Sequence, residues 1–299
     1  MGNIKIHFAG AETKAMSYLL KESGINYALG TVYNYIINQF EKEGEKTYDP
    51  SVIQYWKENF KGTILDSGIF TLIYGAGKRE MTKETWLKWQ DTYIDFIKQT
   101  GFNGYPVEVD AQKIIGSEET WKLRERFKEL LPNHTPINVW HAQDGQKGLD
   151  RIIEFSDYMA FSVQELRKLA NIDHKDQTIK MVNYIKNKKP NIKIHLLACT
   201  EISLLEKLNF VTSSDSTSWL QVNKFGQFKS IQNGKITTLK KDEILDNLHL
   251  YEEQAIRIYQ QLNGEDKTPS TKNLEWQCSY LLALQELLKI YSKYAGPQN

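Results

Sequence analysis

Three aspartates stand where short apolar runs of the sequence end. Asp66 follows "TIL" in the stretch "TILDSGIF" (63–70), Asp110 closes "YPVEVD", and Asp215 lies in "TSSDST". Carboxyls held close together raise one another's pKa, so that one can donate a proton while another attacks or stabilises positive charge. Each aspartate alone is equally typical of a turn or a helix cap, because its oxygens accept hydrogen bonds from nearby N–H groups. The three together favour acid–base and nucleophilic chemistry.

Other polar residues at run ends are weaker candidates. His141 ends "PINVWH", with Gln143 close behind, and Ser162 ends the run "DYMAFS". His195 lies inside an apolar run and is predicted to be a core residue. Cys199 ends its run without a histidine partner nearby in the sequence, so a thiolate nucleophile is only a minor alternative.

The runs that carry these residues predict strands, because each is short, apolar or β-branched and is followed by a longer amphipathic stretch. The predicted strands cover residues 4–11, 25–32, 62–68, 104–110, 136–142, 157–163, 192–199 and 210–216. The predicted helical stretches cover residues 12–23, 33–59 with a break near Gly44, 82–100, 117–131, 146–155, 164–188 with a break near Asp173, and 200–208. This alternation predicts an α/β fold, a (β/α)8 barrel over residues 1–216, whose reactive face lies where the strands end.

Residues 217–299 follow a different pattern. Residues 225–239 predict a β-hairpin that turns at Asn233-Gly234, and two amphipathic helices are predicted at 242–263 and 271–294. This C-terminal extension is expected to pack on the barrel.

The composition is that of a globular protein, with 40% hydrophobic, 25% charged and 12% aromatic residues among 299. No run approaches the roughly 18 apolar residues of a membrane helix, and the N-terminus lacks the apolar region of a signal peptide. Two cysteines in so long a chain fit a cytoplasmic location. The cysteines and histidines do not cluster, so no structural zinc is expected, and nothing in the sequence indicates a cofactor.

The order of the motifs resembles the tRNA-guanine transglycosylase superfamily, and within it the zinc-free branch that acts on 7-deazaguanines in DNA, with related DNA glycosylases. The matching pieces are Asp66-Ser67-Gly68 with Phe70, Asp110 in "VEVDAQ", the segment "HAQDG" (141–145), and Asp215-Ser216 followed by the hairpin. The resemblance covers most of residues 60–240.

The resemblance implies a role for each residue at the mouth of the barrel. Asp215 would attack C1′ of the sugar and displace the base, and Asp66 would shuttle the proton. The implied base-binding residues are Asp110, Gln143, Phe70, Ser67, His141, Phe161 and Ser162. Ile69 replaces a second glycine of the family pattern, and "MAFSV" replaces its Gly-Gly, so that Phe161 and Ser162 are expected to change which base fits.

By the same resemblance the partner is a nucleic acid, with DNA favoured over tRNA, a free modified base is a co-substrate, and the protein forms a homodimer. Lys224, Lys229 and Lys235 are candidates for phosphate contacts. The first alternative is a DNA glycosylase that excises a modified base and leaves an abasic site, for example in defence against phages. A metal-dependent hydrolase with Asp66, Asp110 and His141 as ligands and a non-enzymatic binding module are further alternatives.

Overall fold

The computed structural model describes residues 3–75, 82–169, 173–208 and 210–298, and its centre is a sheet of eight parallel strands. The strands are β1 Lys5–Ala9, β2 Tyr27–Thr31, β3 Gly62–Asp66, β4 Tyr105–Pro106, β5 Ile137–Trp140, β6 Tyr158–Ser162, β7 Lys193–Leu197 and β8 Ser213–Ser216. They pair in the order β4-β3-β2-β1-β8-β7-β6-β5. A parallel bridge between Val107 and Ile137 joins the two edges. The predicted (β/α)8 barrel is therefore confirmed, with a single bridge as its closing seam.

Helices surround the sheet and complete each unit. They are α1 Lys14–Glu22, α2 Tyr33–Phe40, α3 Ser51–Asn59, α4 Ile69–Tyr74, α5 Lys83–Thr100, α6 Gln112–Ile115, α7 Ser117–Leu130, α8 Gly145–Phe155, α9 Val163–Leu169, α10 His174–Lys188 and α11 Ile202–Leu205. The break near Asp173 is confirmed, because its side chain accepts a hydrogen bond from Lys175 N and caps α10. The stretch 200–208 is helical only over α11.

The side chains of β6 alternate between two environments, as the two-residue period of a strand requires. Tyr158 and Ala160 belong to a small apolar cluster inside the barrel, whereas Met159 and Phe161 belong to the large core between the sheet and the helices. Phe161 is fully buried in that outer layer. It therefore points away from the barrel mouth, where we expected it to contact a base.

Helix α5 fixes the end of β3 from outside the barrel. Its residues Trp86, Trp89, Tyr93 and Phe96 recur at helical spacing and are all buried. The Tyr93 hydroxyl donates to Leu65 O at 2.7 Å, and Trp89 Nε1 donates to the carbonyl that follows Asp66 at 2.9 Å. The apolar stripe thus stabilises the helix and also fixes the backbone on both sides of Asp66.

The C-terminal segment forms the predicted hairpin and helices. Its elements are α12 Gln221–Phe225, β9 Gln227–Gln232, β10 Lys235–Lys240, α13 Lys241–Asn247, α14 Glu252–Asn263 and α15 Thr271–Tyr294. Asn233 and Gly234 have φ of 50° and 79°, the left-handed pair of a type I′ turn. A 3-10 turn over Leu248–Tyr251 divides the helix expected at 242–263. None of the described helices has the length and apolar character needed to span a membrane.

Candidate active site

A cavity of about 160 Å³, open to solvent, lies at the carboxyl ends of β3, β4, β5 and β7. Its lining includes these residues predicted from the sequence: Asp66, Ser67, Phe70, Asp110 and His141. Their meeting follows from the fold, because the carboxyl ends of parallel strands share one face of the barrel.

Asp66 closes the turn that leads from β3 into α4. Its Oδ1 accepts a hydrogen bond from Gly68 N at 2.9 Å. Gly68 has φ of 75°, and a Cβ there would lie 2.9 Å from the Cβ of Tyr33, so the turn requires glycine. The aspartate is therefore a turn-forming residue and, at the same time, part of the cavity wall.

The electrostatic surroundings of Asp66 favour its protonated form. Burial raises the pKa of the carboxyl to about 6, although the Gly68 hydrogen bond lowers it. The negative charges of Asp215, Asp110 and Glu12 raise it further. Asp66 therefore titrates close to neutral pH, as a residue that both gives and takes a proton must.

His141 lies between two carboxylates. Its Nε2 donates to Asp110 Oδ1 at 2.8 Å and its Nδ1 to Glu165 Oε1 at 3.1 Å, while Lys113 Nζ lies 2.6 Å from Glu165. Burial lowers the pKa of the imidazole, but the hydrogen bonds to Asp110 and Glu165 outweigh it and raise the pKa to about 10. His141 is thus a fixed cation that orients Asp110 toward the cavity.

This arrangement bears on the metal-hydrolase alternative. Both ring nitrogens of His141 face carboxylates as donors, so neither has a lone pair for a metal ion. Within the described ranges, no group of three or more His, Cys, Asp and Glu side chains could hold an ion. Asp66, Asp110 and His141 therefore do not form the ligand set which that alternative needs.

Asp215 lies at the end of β8 with its side chain 12% exposed. Its Oδ1 accepts hydrogen bonds from Ala198 N at 2.7 Å and from His195 Nε2 at 3.1 Å. Asp215 does not line the cavity, but Leu197, beside Ala198, does. The cavity wall therefore passes directly next to the group that holds Asp215.

Two aromatic rings stand at the rim of the cavity. Phe70 is 75% exposed and Tyr74 is 53% exposed, with ring centroids 5.2 Å apart. Neighbouring large apolar side chains left in water mark a binding surface. The two ring planes are inclined by 49°, so a flat ligand could stack on one ring and touch the edge of the other.

The remaining predicted residues lie elsewhere. Gln143 is exposed on a 3-10 turn over Ala142–Asp144 and does not line the cavity. Ser162 Oγ accepts a hydrogen bond from Glu165 N at 3.3 Å, so it contributes to the site through Glu165. The three candidate phosphate-binding lysines are all exposed, one on α12 and two on the hairpin: Lys224, Lys229 and Lys235.

Sequence reasoning missed several residues of this site. Glu12 follows β1, and its Oε1 accepts a hydrogen bond from Thr31 N at 3.1 Å; the rule that strand ends supply the site would have found it. Lys113 and Glu165 lie on helices, where no pattern in the sequence marked them. Tyr74 comes one helical turn after Phe70, a spacing that could have indicated an aromatic pair.

The similarity of this chain to the known proteins named below is distant in both sequence and structure. No family model matches the sequence, and no curated protein matches it significantly. A GH18 chitinase from Pseudoalteromonas aurantia is 11% identical, with a TM-score of 0.44 over 75% of this chain and 99% of that chain. A GH10 endoxylanase from a sugarcane soil metagenome is 11% identical, with a TM-score of 0.46 over 82% of this chain and 96% of that chain. Likenesses this distant give no argument for an activity.

Proposed function

We propose that the chain breaks the N-glycosidic bond of a nucleobase in a nucleic acid, DNA in preference to tRNA, and exchanges the base as a transglycosylase. The observation that carries the proposal is the unequal pair of carboxyls at the barrel mouth. Asp66 has a pKa raised to about 6, whereas Asp215 receives two hydrogen bonds on one oxygen. Carboxyls in such different surroundings divide into a proton carrier and a nucleophile.

The chemistry follows from this division. Loss of a base from its sugar passes through a state with positive charge near C1′, which the Asp215 carboxylate stabilises and then traps. The departing base needs a proton, and Asp66 supplies it. Asp66 then accepts the proton of the incoming base, so both carboxyls return to their first state after each exchange.

The cavity suits a base that has left its stack. Phe70 and Tyr74 offer exposed rings to a flat heterocycle, and this stacking offsets part of the free energy of unstacking. Asp110, held by the His141 cation, presents carboxylate oxygens to N–H groups at the edge of the base. Both features suit a planar ligand with hydrogen-bond donors at its edge.

The test is mass spectrometry of free bases and abasic sites. Purified protein is incubated with unmodified DNA, phage-modified DNA and tRNA, each with and without a free 7-deazaguanine base. We expect base release that depends on the second base, with that base incorporated. If the base is released and an abasic site remains, the protein is a DNA glycosylase and not a transglycosylase.

Two variants complete this experiment. Asp215→Asn should abolish release, whereas Asp246→Asn, an exposed aspartate on α13, should leave it unchanged. Failure of every substrate to react, or full activity of Asp215→Asn, would contradict the proposal.

A further inference from the structure

A chain of buried hydrogen bonds runs from Asp215 into the interior of the barrel. His195 Nε2 lies 3.1 Å from Asp215 Oδ1, and His195 Nδ1 lies 2.6 Å from Ser213 Oγ. Ser213 Oγ lies in turn beside the hydroxyl of Tyr158. His195 and Ser213 are fully buried and Tyr158 nearly so. Because His195, Ser213 and Tyr158 are shielded from water, each of their polar hydrogens must be donated to another member of this hydrogen-bonded series.

The direction of each hydrogen bond follows from the donors available. Burial raises the pKa of the Tyr158 phenol, so its hydroxyl keeps the proton and donates it to Ser213. Ser213 then donates to His195 Nδ1, which leaves Nε2 as the N–H side of the imidazole. The opposite tautomer would point a nitrogen lone pair at a carboxylate oxygen of Asp215. The chain therefore delivers an N–H donor to Asp215.

The backbone supplies a second donor to the same oxygen. Ala198 N lies 2.7 Å from Asp215 Oδ1, and Ala198 has φ of 48°, a conformation that L residues disfavour. Among the described residues, no hydrogen-bond donor contacts Oδ2. The two carboxylate oxygens therefore differ: Oδ1 is held by two donors, and Oδ2 by none of the described residues.

We infer that His195 is a positioning residue which, together with the Ala198 N–H, presents Oδ2 of Asp215 as the oxygen that bonds to C1′ of the sugar. This inference rests on the proposed function. In the first step an electron pair of Oδ2 bonds to C1′. As this bond forms, the C1′–N bond breaks and its electron pair leaves with the base, which takes a proton from Asp66.

In the second step the incoming base attacks C1′ and gives its proton to Asp66. The C1′–Oδ2 bond breaks and its electron pair returns to the carboxylate. The two donors at Oδ1 stabilise the negative charge of Asp215 before attack and again as it leaves.

Two matched substitutions of His195 test this role. The amide nitrogen of glutamine reaches the position of Nε2, whereas that of asparagine reaches only the position of Nδ1. We expect His195→Asn to lower the single-turnover rate of base release about 10- to 100-fold, the range for losing one hydrogen bond to a charged group, without weakening substrate binding. His195→Gln should recover most of the rate.

Equal rates in the two variants, with Asp215→Asn inactive, would overturn the inference and leave the proposed function standing. Full activity of Asp215→Asn would overturn both. Thermal unfolding of each variant establishes that it folds.

Should His195→Asn not fold, a wild-type structure with the sugar trapped on Asp215 gives the same answer. The sugar is expected on the oxygen that Ala198 N does not contact. A sugar on the contacted oxygen would overturn the inference.

Discussion

Asp66 serves two purposes whose energetic requirements conflict. Its Oδ1 accepts a hydrogen bond from Gly68 N, which favours the ionised carboxylate. Burial and the charges of Asp215 and Asp110 favour the protonated acid more strongly, so the pKa rises from 3.8 to about 6. The folded protein thus binds a proton at Asp66 more tightly than the unfolded chain does. Ionisation of Asp66 therefore destabilises the fold. The same raised pKa lets Asp66 hold the proton that it transfers in the proposed reaction.

Replacing Asp66 by asparagine should stabilise the protein in a pH-dependent way. Below pH 3.8 the carboxyl is protonated in both states, and above about 6 the full free-energy cost of ionising it is present. We therefore expect Asp66→Asn to raise the free energy of unfolding by about 1–3 kcal/mol at pH 8 and by little at pH 4. Urea denaturation at both pH values measures this, with Asp246→Asn as control. An equal gain at both pH values would contradict the prediction.

His141 should also make the free energy of unfolding fall with rising pH, but in a separate and higher range of pH than Asp66. A histidine whose pKa is raised in the folded state stabilises the fold fully below 6.5, and this contribution is lost as the pH rises through about 10. The wild-type free energy of unfolding should accordingly fall between pH 7 and 10.

In His141→Gln that decline should be absent. The variant should also be about 3 kcal/mol less stable at pH 7, because Asp110 and Glu165 lose their shared cation. The exposed His249→Gln provides the control for these denaturation curves. Parallel curves for the wild type and His141→Gln would refute the assignment of the charge to this histidine.

At the scale of elements, the seam between β4 and β5 is the weakest part of the barrel ladder and the one nearest Asp110. Strand β4 has two residues, one of them Pro106, which has no N–H to donate. The Glu108 carboxylate compensates for the few backbone hydrogen bonds between β4 and β5. It receives two hydrogen bonds of 2.6 Å from Arg124, one of 2.7 Å from Asn138 Nδ2 and one of 2.8 Å from Val139 N. A buried ion pair thus fixes the segment that leads from β4 to Asp110.

Replacing one partner of this ion pair should lower the free energy of unfolding by more than replacing both. Arg124 is 3% exposed and Glu108 1% exposed, so Arg124→Met leaves a buried carboxylate without its cation. We expect a loss of about 3–5 kcal/mol in the free energy of unfolding, and a smaller loss in the double variant Arg124→Met/Glu108→Gln. Chemical denaturation measures the free energy of unfolding of the single and the double variant. Equal losses would mean that the pair contributes only its packing.

The elements were predictable from the sequence because strands buried on both faces of a parallel sheet appear as continuous apolar runs. The residues at their ends then follow from the fold, which is why Asp66, Asp110 and His141 meet in one cavity. Register was not predictable. The run that contains Phe161 is apolar on both faces, and a shift of one residue reverses which side chains face the helices. Nor does the sequence show that Glu165, 24 positions from His141, reaches it from a helix.

At the scale of the whole molecule, the end of the described chain closes the other end of the barrel. The side-chain amide of Gln298 accepts a hydrogen bond from Ile6 N and donates one to Ile4 O, both at 2.9 Å, and Ala295 O accepts one from Ile4 N at 3.0 Å. These contacts lie at the start of β1. Since α15 also packs on the hairpin, the extension and the barrel depend on each other, and the hairpin lysines are held in place relative to Asp215.

Because the whole molecule carries little net charge, substitution of the hairpin lysines is the critical test of nucleic-acid binding. With a net charge of about +1, attraction to phosphates must come from local patches. Lys229 and Lys235 are exposed on the two strands of the hairpin. We expect Lys229→Glu/Lys235→Glu to weaken DNA binding at least about tenfold and to lower the slope of log K against log salt by about 2, measured by fluorescence anisotropy at several salt concentrations.

The matched control for this pair is Lys57→Glu/Lys61→Glu, which reverses two exposed lysines, one in the last turn of α3 and one just before β3, on the side of the barrel opposite its mouth. Its net-charge change is the same, so a general repulsion between protein and DNA would weaken both double variants equally. A loss confined to the hairpin pair, with an unchanged rate of base release at saturating DNA, would place phosphate contacts on the hairpin. Equal losses in the two pairs would remove the hairpin from the binding surface and leave the mouth residues as the only candidates for contact with the substrate.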